Sequence, residues 1–471
     1  MFRSALLILS GNTAFFLLIL IRNLVIARLI SVEDYGVAAT FAISMAIVEM
    51  MSDLGLQQLI IQDRDGNDPE LQSALQGFHL LRACVGAFVL FFMAHPIARF
   101  LNIPDIAWAY QLLALVPLAN GFLHFDIHRK NRKMVYLPVV LTKTLPAVVS
   151  LLLVWPFFLY YGDYRVMLFA ILAQILLTVF TSHLVAERAY RLRLDWSVTQ
   201  RAFRFGWPLL ANGVLLFLVF HGEKVIIGRE LGMAALAIFA MGFTLTLRPT
   251  LVMTSSAQSF FLPQLSAAKD DRDLFGHLAM TTLQTSLISG AVLVVATVLL
   301  GAPFVQLVLG DKYAELIPLL EWLAILQAVR AFKTGGAVAA VAQAKTGNAM
   351  IANLFRVASM PVSWYVAVTS GDIFMVVTVA MIGECCGYLA SLLLLRFRLG
   401  LTLAPMTLPI LITACLLIFT GLKNWVMQFA FFADNWLVFY ALLIGMFILA
   451  LASMRDLRKY IQRRVALSHS D

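Results

Sequence analysis

Long apolar runs follow one another along almost the whole chain, separated by short breaks rich in charge, glycine and proline. A helical run of about 20 residues matches the ~30 Å hydrocarbon core of a bilayer. On this pattern the sequence predicts spans at 5–30, 36–61, 74–95, 106–127, 134–160, 166–186, 206–230, 235–263, 277–301, 315–343, 348–369, 373–395, 405–421 and 435–454. The run at 277–301 can extend towards residue 309, and Gly335-Gly336 is a candidate break inside 315–343. Alternating ten-residue segments of the kind that build outer-membrane barrels do not dominate. The expected fold is an all-α polytopic membrane protein of about fourteen helices.

The breaks carry the orientation. Twenty-one Lys and Arg residues fall in one set of alternate loops and tails, and only Arg99, Arg165, Lys312 and Lys423 in the other. The positive-inside rule then places both termini in the cytoplasm. The first 30 residues read as a retained span, since Arg22 and Arg28 lie inside the run and no small-residue cleavage pattern follows.

The pattern also repeats. "VIAR" at 25–28 returns as "IIGR" at 226–229, a shift of 201 residues, and "QDRDGNDPEL" after the second span is answered by "AKDDRDLFG" after the eighth. Copies separated by an even number of spans insert in the same direction, as parallel repeats. The expected lobes are 1–204 (spans 1–6) and 205–400 (spans 7–12), with 401–471 holding spans 13 and 14 and a basic cytoplasmic tail.

Composition agrees and narrows the function. The 471 residues are 61% hydrophobic and 13% charged, with a formal net charge of +9. The basic residues sit in inter-span loops, so a nucleic-acid partner is not expected. The four cysteines fall within spans at spacings that suggest neither metal nor disulfide. "HRKNRK" (128–133) reads as a topology anchor that can also attract anionic lipid, and "RDLRKYIQRR" (455–464) as an interfacial helix.

Charges inside the spans are the unusual feature. Ten cations lie within or at the edges of spans: Arg22, Arg28, Arg82, Lys143, Lys224, Arg229, Arg248, Arg330, Lys333 and Arg356. The acids there are Glu49, Asp53, Asp126, Glu223, Glu321 and Glu384. A charge at the bilayer centre costs ~3 kcal/mol on insertion scales, so these groups should face protein or a wet cavity. At ~1.5 Å per residue, Lys143 lies ~14 Å deep and Arg82 and Arg356 ~12 Å. Arg28 and Arg229 are near enough to a span end to snorkel. Internal pairing, for example of Glu223 with Arg22 or Arg248, accounts for part of the set, but ten cations outnumber six acids. A surplus of partly dehydrated positive charge suits an anion.

"RLISVEDYGVAATFAISMAIVEMMSDLGLQQLIIQ" (28–62) resembles the second-span signature of the polysaccharide flippases of the multidrug/oligosaccharidyl-lipid/polysaccharide exporter superfamily. "EKVIIGRELGMAALAIFAMGF" (223–243) and "FLPQLSAAKDD" (261–271) are similar to its second-lobe counterpart, and fourteen spans fit the longer exopolysaccharide type. The sequence departs from the usual Asp-Lys at Glu223-Lys224 and from a frequent Tyr at Phe239.

The resemblance implies a non-enzymatic flippase of the bacterial cytoplasmic (inner) membrane. It would move undecaprenyl-pyrophosphate-linked oligosaccharide between leaflets by alternating access, for export of O-antigen or exopolysaccharide. Arg22, Arg82, Lys143, Lys224, Arg248 and Arg356 would then line the pyrophosphate and glycan path. Glu49, Asp53, Asp126 and Glu223 would pair charges or couple the cycle to H⁺ or Na⁺, with membrane potential as the other driving force. No cofactor or metal is expected. Membrane lipids, a polysaccharide polymerase and export machinery are the implied partners.

Three rivals differ in chemistry. A lipid II flippase shares the span count and the cationic lumen. A multidrug exporter would need an acidic cavity. A membrane glycosyltransferase has only "DRD" at 63–65 and 271–273 in its favour, and the longest loop, 187–205, is too short for a catalytic domain.

Overall fold

The computed structural model describes residues 2–50, 54–345, 347–428 and 435–468, so Asp53 lies outside the described residues. Every regular element there is helical. Eleven helices among the described residues are long and apolar enough to cross a membrane. They correspond to eleven of the fourteen expected spans. The other three segments are helical too, but carry charge or are broken.

The segment 36–61 forms α2 (Val32–Met50) and α3 (Leu56–Gln62), separated before Gly55. The segment 106–127 forms α5 (Ala107–Leu113) and α6 (Leu115–Asn120). Pro117 accounts for that break, because it has no N–H to give the carbonyl four residues back and its ring crowds the preceding turn. The segment 315–343 is one unbroken helix, α13 (Leu316–Ala342), through the Gly335-Gly336 pair. Its apolar run is interrupted by Glu321, Arg330 and Lys333.

The chain divides into two compact units, Met1–Ala237 and Ile238–Asp471. In the first, α1 (Phe2–Leu29) packs on α8 (Leu137–Tyr161), which packs on α9 (Arg165–Leu184). The 32-residue α4 (Pro69–Phe100) lies against α5 and α6, and α10 (Trp196–Glu230) against α2 and α4. The short α7 (Asp126–Arg132) leads into α8.

The boundary between the units falls within α11 (Met233–Ala267). In the second unit α12 (Arg272–Val308) packs along α13, while α16 (Ile373–Leu399) packs on α13, α14 (Gly347–Ala358) and α15 (Met360–Ser370). Leu283, Leu287, Val294, Ala328 and Phe332 form its core, and α17 (Ala404–Gly421), followed by the single turn α18 (Lys423–Val426), adds Leu416 and Leu417. Phe439 and Leu443 of α19 (Trp436–Ser453) complete it.

Local signals set the helix ends. Asp68, Asp195, Asp271 and Asp372 each cap a long helix by accepting from backbone amides of its first turn. Gly162 ends α8 at φ 69°, a left-handed conformation that costs glycine little. Large apolar side chains point outward from many helices: Leu307 is 83% and Leu159 70% exposed. Such a surface needs lipid to cover it. The basic C-terminal helix α20 (Arg455–Ser468) docks on α12, where Asp456 receives His277 Nδ1 at 3.1 Å and Gln284 Nε2 at 3.2 Å.

Candidate functional site

Three polar constellations interrupt the apolar interior. In the first unit Arg22, buried on α1, donates from Nη1 to Ser150 Oγ at 3.1 Å and to Gln174 Oε1. Ser150 Oγ in turn donates to the Ala170 carbonyl at 2.8 Å. The partners of Arg22 are therefore neutral, and Glu223 is not among them as the sequence suggested. Glu223 is itself buried on α10. Small polar side chains on α8 and α9 thus hold a guanidinium that has no acid partner among the described residues.

Still in the first unit, a cavity of about 420 Å³ is lined by Arg82, Glu49, Gln57, Gln58 and Asn120, together with apolar residues of α2, α4, α6 and α9. Arg82 Nη2 lies 3.2 Å from His79 Nδ1. Gln57 and Gln58 reach this space from the first turn of α3. One cation, one carboxylate and several amides make a wall suited to a polar, anion-bearing ligand.

In the second unit, α13, α14 and α16 bring three cations to one acid. Glu384, completely buried, accepts from Arg330 Nη2 at 2.8 Å and Nε at 3.0 Å and pairs with Lys333 Nζ and, at 3.2 Å, with Arg356 Nε. Arg330 and Lys333 are three residues apart on α13, so one helix face delivers both. Arg330 Nη1 also reaches Gln327 Oε1 at 3.2 Å, and Arg356 Nη1 reaches Ser359 Oγ at 3.1 Å. Gly387 lets α14 and α16 approach this closely, since a Cβ there would lie 2.6 Å from the Ala352 carbonyl oxygen. Three cations thus converge on one carboxylate.

Of the cations expected to line a path, Arg22, Arg82 and Arg356 belong to these constellations. Lys143 is exposed on α8, close enough to the buried His128 to influence it electrostatically. Lys224 is half-buried on α10 within electrostatic reach of His221, and Arg248 is half-buried on α11 just before Pro249. Arg330, Lys333 and Glu384 were visible as intramembrane charges, but nothing in the sequence indicated that they assemble. Glu321 takes a partner from beyond the spans, Lys423 at 2.5 Å.

The fourth assembly lies beyond the span ends. Arg129 and Lys130 of the basic "HRKNRK" stretch are buried, where solvated anchors were expected. Asp126 pairs with Arg129 Nε at 2.5 Å and accepts from the Glu187 amide at 2.9 Å. Glu187 closes the knot against Arg129 at 3.0 Å and Lys130 at 3.2 Å, and these two cations hold its carboxyl below the usual range. The hydrogen bond to Asp126 in turn pushes Arg129 up. Asp126 is thus committed to a structural ion pair. Arg188 fastens the following strap with bonds to Gln72 Oε1 at 2.9 Å and the Asn67 carbonyl at 2.7 Å.

Known proteins share both the sequence and the fold. The profile of the family described as "Polysaccharide biosynthesis protein" matches residues 25–318. The succinoglycan biosynthesis transport protein ExoT of Rhizobium meliloti is 24% identical over 315 residues, covering 65% of this chain and 62% of that protein. The lipopolysaccharide biosynthesis protein WzxC of Escherichia coli is 21% identical over 352 residues, covering 72% and 69%. The fold is similar to that of the lipid II flippase MurJ in an inward closed conformation, with TM-score 0.68, 11% identity and coverage of 99% and 100%. It is also similar to an inward-facing multidrug resistance MATE family transporter of the MOP superfamily, with TM-score 0.66, 13% identity and coverage of 82% and 94%.

Proposed function

The chain belongs to the polysaccharide biosynthesis protein family, and from that premise we propose that it is a flippase for a polyprenyl-pyrophosphate-linked oligosaccharide, acting in polysaccharide export. The observation that carries this reading is the assembly of Arg330, Lys333 and Arg356 around the single carboxylate of Glu384. A dehydrated cluster of guanidinium and ammonium groups is matched by the negatively charged non-bridging oxygens of a pyrophosphate, which arginine engages through two parallel bonds. An organic cation would be repelled there. The polar cavity beside Arg82 offers amides for sugar hydroxyls, and Arg22 and Lys143 add positive charge with no acid partner among the described residues.

The step is transport by alternating access and breaks no covalent bond. The excess of Lys and Arg in one set of loops supports a cytoplasmic position for both termini, in a protein of the bacterial inner membrane whose product would pass to a polysaccharide polymerase and export machinery. Glu49, which lines the polar cavity, and the buried Glu223 are candidates to couple the cycle to H⁺ or Na⁺, as is Asp53, with membrane potential as the alternative drive.

Flipping in proteoliposomes tests the reading. A fluorescent glycan on polyprenyl pyrophosphate is compared with the same glycan on a neutral lipid, in wild type and in Lys143→Gln and Arg82→Gln. Movement of the pyrophosphate form alone, lost in the variants while membrane levels hold, is the expected result. Equal movement of both lipids would reduce the cations to structural parts. Movement of lipid II in place of the longer glycan would transfer the assignment to peptidoglycan precursor export.

A further inference from the structure

The cation of the polar cavity is held from behind. Arg82 lines that cavity, and His79, one turn earlier on α4, stands behind it. His79 is 2% exposed, and both of its ring nitrogens are engaged. Nε2 lies 3.0 Å from the Asn120 carbonyl oxygen, which can only accept, so Nε2 carries the proton. Nδ1 lies 3.2 Å from Arg82 Nη2, and a guanidinium can only donate. Nδ1 therefore accepts, and the ring is neutral in a single tautomer fixed by its two partners.

The ring has little freedom to leave this arrangement. Phe125 packs on it with ring centroids 5.0 Å apart, and the Phe125 amide donates to Gln76 Oε1 at 3.2 Å. Gln76, His79 and Arg82 follow one another at three-residue spacing along α4, so one line of the helix carries both the support and the cation. Asn120 closes the other side. It ends α6 and lines the same cavity as Arg82. Gly121 follows it, where a Cβ would stand 2.5 Å from Ala83 Cβ. That close approach of the end of α6 to α4 brings the Asn120 carbonyl within reach of the ring.

We propose that His79 is a positioning residue for transport: its Nδ1 lone pair aims the Arg82 guanidinium at the anionic head of the lipid in the polar cavity. The proposal rests on the flippase reading and assigns a role to a residue that does not touch the substrate. An imidazole acceptor orients a guanidinium without adding negative charge. A carboxylate in its place would compete with phosphate oxygens for the same N–H groups. One bond is enough to set the plane of a rigid guanidinium, and a set plane is what two parallel bonds to a phosphate require.

The test measures equilibrium binding of polyprenyl pyrophosphate to the full chain in nanodiscs, with neutral polyprenol as the control. His79→Phe keeps a ring against Phe125 and removes both nitrogens; His79→Leu, which also lacks them, replaces it if the larger ring unfolds the protein. Binding of the pyrophosphate should weaken about tenfold, the order expected for losing one hydrogen bond to a charged group, and binding of polyprenol should not change. His79→Gln keeps an amide donor and a carbonyl acceptor and should restore most of the loss. In an Arg82→Gln background, where binding is already weaker, His79→Phe should change it by less than about twofold. An equal loss in both backgrounds, or a His79→Gln protein no better than His79→Phe, would make His79 a packing residue and overturn the proposal while the flippase reading stands. Unchanged pyrophosphate binding in His79→Phe would overturn it as well. A wild-type protein that binds the pyrophosphate no better than polyprenol would overturn the flippase reading and this role together.

Discussion

Arg330 grips Glu384 through a single carboxylate oxygen, with Nε at 3.0 Å and Nη2 at 2.8 Å. The other oxygen is left to Lys333, and Arg356 approaches the first from a different helix. One acid therefore holds α13, α14 and α16 in register through three cations. The geometry separates two tasks that a buried charge can have, keeping helices together and presenting charge to a ligand.

Glu384→Gln should be the more destructive change in this cluster. It leaves three buried cations with that carboxylate removed, and breaking a buried pair in this way costs about 3–5 kcal/mol. Lys333→Gln leaves the Arg330 bonds in place and should cost clearly less. Thermal unfolding of the two purified variants in the same detergent checks the order; equal melting temperatures would mean that Glu384 does not organise the three helices.

Arg22→Gln should behave in the opposite way. Its partners Ser150 and Gln174 are neutral and can bond to an amide or to each other. The expected loss is that of hydrogen bonding to a charged group, about 1.5–3 kcal/mol, while transport of the pyrophosphate lipid should be abolished. Unfolding and flipping measured on one preparation decide it, and a melting temperature that collapses together with transport would make Arg22 a structural residue.

The knot beyond the span ends has a pH signature. Arg129 and Lys130 hold Glu187 below its usual range, whereas in the unfolded chain a glutamate titrates near 4.3. Its contribution is therefore fully present above that unfolded value and is lost as pH falls through the depressed folded one. Amide exchange along residues 185–193 should accelerate below about pH 4. In Glu187→Gln exchange should be faster already at neutral pH and lose that part of its acid dependence.

Much of the helical order was legible because lipid demands long apolar runs, and each of the eleven spanning helices contains one. What was not legible turns on single residues. Gly55, at φ 64°, starts α3 and separates it from α2, although the surrounding hydrophobicity reads as one span. Pro117 splits another segment whose apolar pattern is continuous. Conversely, Gly335-Gly336 looked like a break and is helix, because Leu283 and Ser286 of α12 pack directly against Gly335. For the site, the sequence exposed which charges are buried but not their partners, since pairing is decided by helix contacts between residues far apart in the chain. Lys130 shows the limit from the other direction: a loop cation by every local sign, it is buried and donates to the Val185 carbonyl at 2.7 Å.

Orientation yields a last test that owes nothing to transport. Asp105 is exposed in the turn between α4 and α5, a break holding little positive charge, and Lys133 is exposed at the end of the basic stretch that follows Asp126. If loop cations stay on the cytoplasmic side, Asp105→Cys should react with a membrane-impermeant maleimide in intact cells, and Lys133→Cys only after permeabilisation. Both are introduced into a chain whose four native cysteines, exposed on its helices, have been replaced by alanine to lower the background. The opposite pattern would invert the topology and place the ion-pair knot of Asp126, Arg129 and Glu187 on the outer face. Reaction at both positions in intact cells would mean that the span between them does not cross, and would place the broken segment α5–α6 on one side of the bilayer.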